Sequence, residues 1–264
     1  MKKLTLDEVH DVLLGIAKEF HRVCEENNIP YYMLGGTMLG AVRHKGFIPW
    51  DDDMDFGVER KYFDKLDELF NKQTDSPYRM RTLQNSKTII NDPGKMEDTR
   101  TIIIEPERAN IKEEIGINID IFPLDITNGK KGLFSKNNLV HLVGLINTYR
   151  YCNIKVLKGW HRFFALAFRV VFAPFGKSSL LNFARKYLIP QKGDHISNLY
   201  GFWGVRETIP RSVMGKPVKY QFEDTFLYGV EDYDAYLTSL YKDYMVIPPE
   251  EKIHVHLDNA FRKE

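Results

Sequence analysis

Apolar residues recur at helical spacing along the first stretch of the chain. Val9, Val12, Leu13, Ile16, Phe20, Val23 and Cys24 line one side of a predicted helix over 5–27, and Thr5-Leu6-Asp7-Glu8 ahead of them has the form of a capping box. His10 and His21 fall on the polar side and are assigned no chemistry. Asn27-Asn28-Ile29-Pro30 ends this helix and leads into a short apolar strand, Tyr31 to Leu34. A second helix is expected over 59–71, with Tyr62, Phe63, Leu66, Leu69 and Phe70 as its buried stripe. Strands are expected at Arg79 to Leu83, Thr101 to Ile104 and Ile117 to Phe122, with Asn91-Asp92-Pro93-Gly94 as a turn. Near the end, Tyr233, Tyr236, Leu237, Leu240, Tyr241 and Tyr244 trace one side of a further helix, and Pro248-Pro249-Glu250-Glu251 opens a short last one.

Against this background three stretches carry chemistry. Leu34-Gly35-Gly36-Thr37 joins a strand to a helical turn, Met38 to Arg43, so its backbone N–H groups are expected to lie open to an anion such as phosphate. In Asp53-Met54-Asp55-Phe56 acids alternate with apolar residues, which puts Asp53 and Asp55 on one strand face while Met54 and Phe56 enter the core. Two carboxylates on one face repel unless a hard cation sits between them, and the pattern asks for Mg²⁺ or a similar metal. Either half alone better suits a solvated acidic turn beside an ordinary Gly-Gly turn; together, at this spacing, they are harder to dismiss. In the strand Ile117 to Phe122 the isoleucines occupy one face and Asn118 and Asp120 the other. An acid in so apolar a strand is costly unless paired or acting as a ligand, so Asp120 joins the candidates. Asp125 is expected to cap the following turn.

Charge divides the chain. The net charge of +1 averages a region from Ile126 to Gly193 that holds twelve Lys or Arg and no acid with a remainder that is strongly acidic. Leu139 to Leu145 and Phe163 to Phe175 are the most apolar parts of this region, and neither reaches the roughly twenty residues a spanning helix needs. Ordinary packed helices, a nucleic-acid surface or amphipathic helices on an anionic membrane would each account for it. No nucleic-acid-binding motif accompanies the charge, and the complete absence of acids favours the membrane. Trp203, in the aromatic cluster Tyr200 to Gly204, or Trp50 beside the acids, offers a ring face to a cation; core packing is the competing role for both. Two cysteines, Cys24 and Cys152, make neither a disulfide framework nor a zinc site by themselves. No secretory signal follows Met1-Lys2-Lys3, which points to the cytoplasm, peripheral on the inner face of the membrane if the basic region binds there.

The Gly-Gly turn, helix and later Asp-apolar-Asp strand resemble the polymerase-β-like nucleotidyltransferase fold. The fuller string from Gly35 to Val58, with Gly116 to Asp125 and Tyr233 to His256, resembles the LicD family of phosphotransferases, which move phosphocholine from CDP-choline to cell-surface sugars and are related to the fukutin proteins. The resemblance implies an α+β fold, a mixed sheet flanked by helices, with a catalytic core over 1–128, a basic, apolar helical insertion over 129–192 and a C-terminal loop and helical segment over 193–264. It implies that Asp53, Asp55 and Asp120 are catalytic and hold one or two Mg²⁺ ions, which Mn²⁺ could replace. It further implies that Gly35, Gly36 and Thr37 bind phosphate, that Arg43, His44 or Lys45 adds positive charge, and that Lys95 and Arg100 face the nucleotide phosphates; as residues alone, the last two better suit solvated surface charges. The donor implied is CDP-choline or a related CDP-alcohol and the acceptor a cell-surface glycan or teichoic-acid precursor, lipid-linked. Transfer of ribitol, glycerol or ethanolamine phosphate, nucleotidyl transfer to a small molecule, and a non-catalytic membrane adaptor are the alternatives. His254 and His256 match a family feature with no role derivable from the residues.

Overall fold

The computed structural model describes residues 1–72, 75–91, 93–104, 113–129, 136–176, 178–187, 192–249 and 259–263. Asp92 of the expected turn, Glu250 and Glu251 of the last expected helix, and His254 and His256 lie outside the described residues.

After a two-residue strand β1 (Lys2–Lys3), helix α1 (Leu6–Glu26) is entered through the expected capping box: Glu8 N–H donates to Thr5 Oγ1 and Thr5 N–H donates back to the Glu8 carboxylate. Such a cap is worth about 1 kcal/mol. Strand β2 (Tyr31–Met33) follows, and helix α2 (Gly35–Arg43) starts directly at the first glycine, so Gly35 and Gly36 form its first turn rather than a turn ahead of it. Strand β3 (Asp55–Glu59) begins two residues later than expected, at Asp55. Met54 and Phe56 are fully buried, as the alternation requires. Phe20 of α1 packs on Tyr31 and Phe56, seating the helix on the sheet. Both histidines of α1 are recruited inward. His10 stacks on Phe47 and donates to the Asp51 carbonyl, and His21 hydrogen-bonds the Tyr31 hydroxyl.

Helix α3 (Arg60–Asn71) buries Phe63, Leu66 and Phe70, and β4 (Tyr78–Arg81) follows it. The next two strands are much longer than their apolar cores: β5 runs Gly94–Ile103 and β6 runs Ile115–Thr127. Lys95 and Arg100 therefore both stand within β5. Asp125 does not cap a turn; it lies within β6, almost wholly buried, where its carboxylate accepts two hydrogen bonds from Arg60, from Nε at 2.5 Å and Nη2 at 2.7 Å. Ion pairs of this kind hide the strand pattern, because charged residues occupy positions that apolar ones would otherwise mark.

Helices α4 (Lys136–Tyr151), α5 (Gly159–Val171) and α6 (Ser179–Tyr187) form the basic region. The C-terminal part is more than loop and helix. It contributes β7 (His195–Asn198), β8 (Thr208–Pro210), the hairpin β9 (Val218–Phe222) and β10 (Thr225–Gly229), and β11 (Ala260–Arg262), besides helices α7 (Arg211–Met214) and α8 (Tyr233–Tyr241). Among the described residues the main sheet has nine strands along the order β1-β11-β5-β6-β3-β2, with β4 added on β5, β7 on β6, and β8 on β7. Strands β3 and β6 run parallel and the other pairs antiparallel, giving a mixed sheet with flanking helices, an α+β fold.

Candidate active site

The parallel pairing of β3 with β6 sets Asp55 directly opposite Asp120, and the antiparallel pairing of β6 with β5 sets Lys95 opposite Asp120 from the other side. Backbone bonds fix this register. Asp55 N–H donates to Thr37 Oγ1 at 2.7 Å, its carbonyl accepts from Leu34 N–H at 2.9 Å, and Asp120 N–H donates to the Met54 carbonyl at 2.9 Å. With both its backbone groups tied, Asp55 presents only its side chain to the space in front. Asp53, two residues before the strand, is exposed at the same opening.

These groups line a cavity of about 520 Å³. Gly35, Gly36, Asp53, Asp55, Lys95 and Asp120 are in its wall, together with Tyr200, Phe202, Trp203 and Tyr241 and with Asn91 and Thr148. The remaining candidates lie elsewhere. Thr37 is buried, its hydroxyl engaged with Asp55 N–H. Arg43 donates to the Tyr244 carbonyl and to His44 Nδ1. Lys45, at φ 60°, turns the chain after α2, and Arg100 is held by Asp98 and Tyr78. None of Thr37, Arg43, His44, Lys45 and Arg100 lines the cavity.

Gly35 is required twice. Its φ of +48° favours glycine, and a Cβ there would stand 3.3 Å from Asp55 Oδ2. The start of α2 is also less open than the sequence suggested: Gly35 N–H donates to the Tyr236 hydroxyl, and a Cβ on Gly36 would meet the Asp51 carboxylate at 2.7 Å. Carboxylates therefore surround the helix N-terminus. A phosphate could approach only with cations to offset them.

Electrostatics follow from this crowding. Burial, then the charges of Asp53 and Asp120, push the Asp55 carboxyl well above the usual range, with Lys95 acting in the opposite sense. Asp55 is tightly surrounded by protein yet still reached through the cavity, so it is only half-buried by exposure. Asp51 is raised to about 7 by burial and then by Asp53 and Asp52. Lys95 Nζ pairs with Asp120 and donates to Asn118 Oδ1. Three carboxylates with no nitrogen or sulfur donor suit a hard divalent ion, and a raised acid beside two others is what such an ion would relieve. Among the described residues no group of three His, Cys, Asp or Glu side chains is arranged to hold a metal ion, and Asp120 is paired with Lys95.

The pattern of residues missed Glu207, Asn198, Tyr236 and Tyr241. Glu207 lines the cavity and accepts from Trp203 N–H at 2.8 Å and Asn198 Nδ2 at 2.7 Å; burial raises it to about 7. It thereby holds the loop bearing Phe202 and Trp203, whose ring meets Tyr241 edge-on. Tyr241 was legible only as part of a helix stripe. Trp203 lines the cavity, whereas Trp50 does not and lies partly buried on the core.

Residues 28–141 match the family described as LicD/FKTN/FKRP, nucleotidyltransferase domain. The chain is 31% identical over 271 residues to the lipopolysaccharide cholinephosphotransferase LicD of Haemophilus influenzae, covering 99% of both proteins. It is 26% identical over 107 residues to the human ribitol 5-phosphate transferase FKRP, covering 40% of this chain and 19% of that protein.

Proposed function

The chain belongs to the LicD family, and from that premise we propose that it transfers an alcohol phosphate, phosphocholine first among the candidates, from a CDP-alcohol to a sugar hydroxyl, releasing CMP. The observation that carries this reading is the pairing of Asp55 with Asp120 across parallel strands, with Asp53 at the same opening and Lys95 beside them. The sheet arrangement and the matched family description support kinship with nucleotidyltransferases.

In this reading Asp53, Asp55 and Asp120 hold one or two Mg²⁺ ions, or Mn²⁺ in their place. Bound there, the metal would neutralise charge on the diphosphate and leaving CMP and acidify the incoming hydroxyl. The chain's own residues do the rest. Lys95 offers a cation to a phosphate oxygen once Asp120 exchanges partners. Gly35 and Gly36 leave room for the diphosphate beside Asp55. Asp120 accepts the proton of the sugar hydroxyl as its oxygen bonds to the phosphorus bearing the alcohol and the bond from that phosphorus to the CMP oxygen breaks. Tyr200, Phe202, Trp203 and Tyr241 line the same cavity as the acids, and aromatic rings suit a quaternary ammonium. That lining supports choline over a polyol, while the similarity to the ribitol 5-phosphate transferase keeps a pentitol phosphate as the second reading.

The test is CMP release by purified protein given CDP-choline, CDP-ethanolamine, CDP-ribitol and CDP-glycerol separately, with Mg²⁺ or with EDTA, in the presence of glycan acceptors. Metal-dependent CMP from one donor is expected. Turnover of nucleoside triphosphates with none of the CDP-alcohols would replace this reading by nucleotidyl transfer.

A further inference from the structure

Helix α5 has its polarity reversed. Trp160, Phe163, Val170 and Val171 are 65, 67, 76 and 64% exposed and fall on one stripe, with Phe175 continuing it beyond the helix. Arg169 points the other way. Arg169 donates to the carbonyls of Arg150 and Cys152 at the end of α4, at 2.8 and 2.6 Å. Arg150, nearly buried, donates in turn to the carbonyls of Phe172 and Phe175 just past the end of α5, at 2.9 and 2.5 Å. Each arginine thus caps the other helix, where a cation meets the negative end of the helix dipole. The arrangement secures the helix pair from within while leaving its aromatic stripe to the outside, the inverse of a helix folded against water.

We propose that this face is a docking surface for an anionic lipid bilayer. Lys155 and Lys158 ahead of α5, Arg162 on its flank and Lys186 on α6 are exposed, and no Asp or Glu occurs between Ile126 and Gly193. Such a surface complements anionic headgroups and opposes a second copy of itself. Thirteen residues span about 20 Å at 1.5 Å each, short of the roughly 30 Å of a hydrocarbon core, so α5 lies in the interface with Trp160 at headgroup depth. No helix among the described residues is long and apolar enough to cross a membrane. The face is coupled to the cavity through α4: Thr148 lines the cavity, and Asn147 Nδ2 donates to the Ile90 carbonyl in its wall. Docking therefore holds the cavity beside the bilayer, where a lipid-linked acceptor would present its sugar. That consequence rests on the functional reading above; the binding itself does not.

The test is co-sedimentation of the full chain with phosphatidylcholine vesicles, with and without phosphatidylglycerol, at low and high salt. Preference for the anionic vesicles, weakened by salt, is expected. The triple variant Trp160→Ser, Phe163→Ser, Val170→Ser should lose at least about tenfold in binding, and Lys155→Glu, Lys158→Glu, Arg162→Glu about a hundredfold on anionic vesicles. Tryptophan emission supplies a readout that needs no disruptive change: the blue shift on adding anionic vesicles should vanish in Trp160→Phe, since Trp50 and Trp203 sit elsewhere. Failure of the wild-type chain to bind either vesicle, binding by both triple variants equal to wild type, or a lipid-free dimer that the serine variant dissolves would each overturn the proposal. Metal-dependent CMP release measured without vesicles reports on the functional reading separately and should be unchanged in the serine variant.

Discussion

The cavity and the α4–α5 unit handle charge in opposite ways. Around the cavity, acids from β3, β6 and the loop before β3 are drawn toward one opening, and the apolar partners of the same strands fill the core. In the helical unit the cations Arg150 and Arg169 turn inward to carbonyls and the aromatic residues turn out. The difference teaches that burial of a charge does not by itself mark function. Asp125, more deeply buried than Asp120 on the same strand, is a structural ion-pair partner, whereas Asp120 faces the cavity with its partner, Lys95, shared with Asn118. What distinguishes the two is access to a space that a ligand can enter.

The comparison breaks most readily at the acids. Asp53→Asn should reduce metal-dependent CMP release by on the order of a thousandfold or more, with an unchanged melting profile, because one oxygen donor to the cation loses its charge. Unaltered activity in this variant would remove the metal-enzyme reading altogether. Next in size is the structural pair. Arg60→Ala leaves the Asp125 carboxylate buried without its bidentate partner and should cost about 3 kcal/mol or more in denaturant unfolding, with whatever activity survives showing an unchanged metal dependence.

Glu207 sharpens the comparison from within the cavity. Its folded pKa of about 7 lies above the ordinary carboxylate value of 4.5, so the folded state favours the protonated form. The stabilisation from this group is complete below pH 4.5 and is lost as pH rises through about 7. The wild-type chain, free of divalent ions, should therefore lose up to about 3 kcal/mol relative to Glu207→Gln across that interval, read as the difference between their unfolding curves. Parallel curves would show that Glu207 is ionised throughout. The smallest effect is expected in the helical unit. Phe163→Ser should change unfolding in water by no more than about 0.5 kcal/mol despite removing a large aromatic ring, since that ring is already in solvent. Phe56→Ala, deleting a ring of the same kind from the core, should cost about 3–5 kcal/mol.

By itself the sequence determined whatever depends on local periodicity. The α1 stripe and its cap, the burial of Met54 and Phe56, the helix after Glu59 and the segregation of charge between 126 and 193 all stand in the structure as they read along the chain. It also marked Gly35, Gly36, Asp53, Asp55 and Asp120, since each departs from what its surroundings would otherwise select, whereas Lys95 was reached only through the family resemblance. Tertiary structure alone decided the length of β5 and β6, the inward roles of His10 and His21, and the fate of Arg43, which the distant Tyr244 carbonyl settles. It likewise decided that Glu207 and Tyr241, far along the chain from the acids, line the site and that Tyr236 ties down Gly35. The physical reason is that periodicity reports which face a residue occupies within its own element, whereas strand register and loop closure decide which distant face it meets. The reversed polarity of α5 joins both halves: its apolar stripe is plain in the sequence, but only the packing of α4 shows that the stripe faces away from the protein.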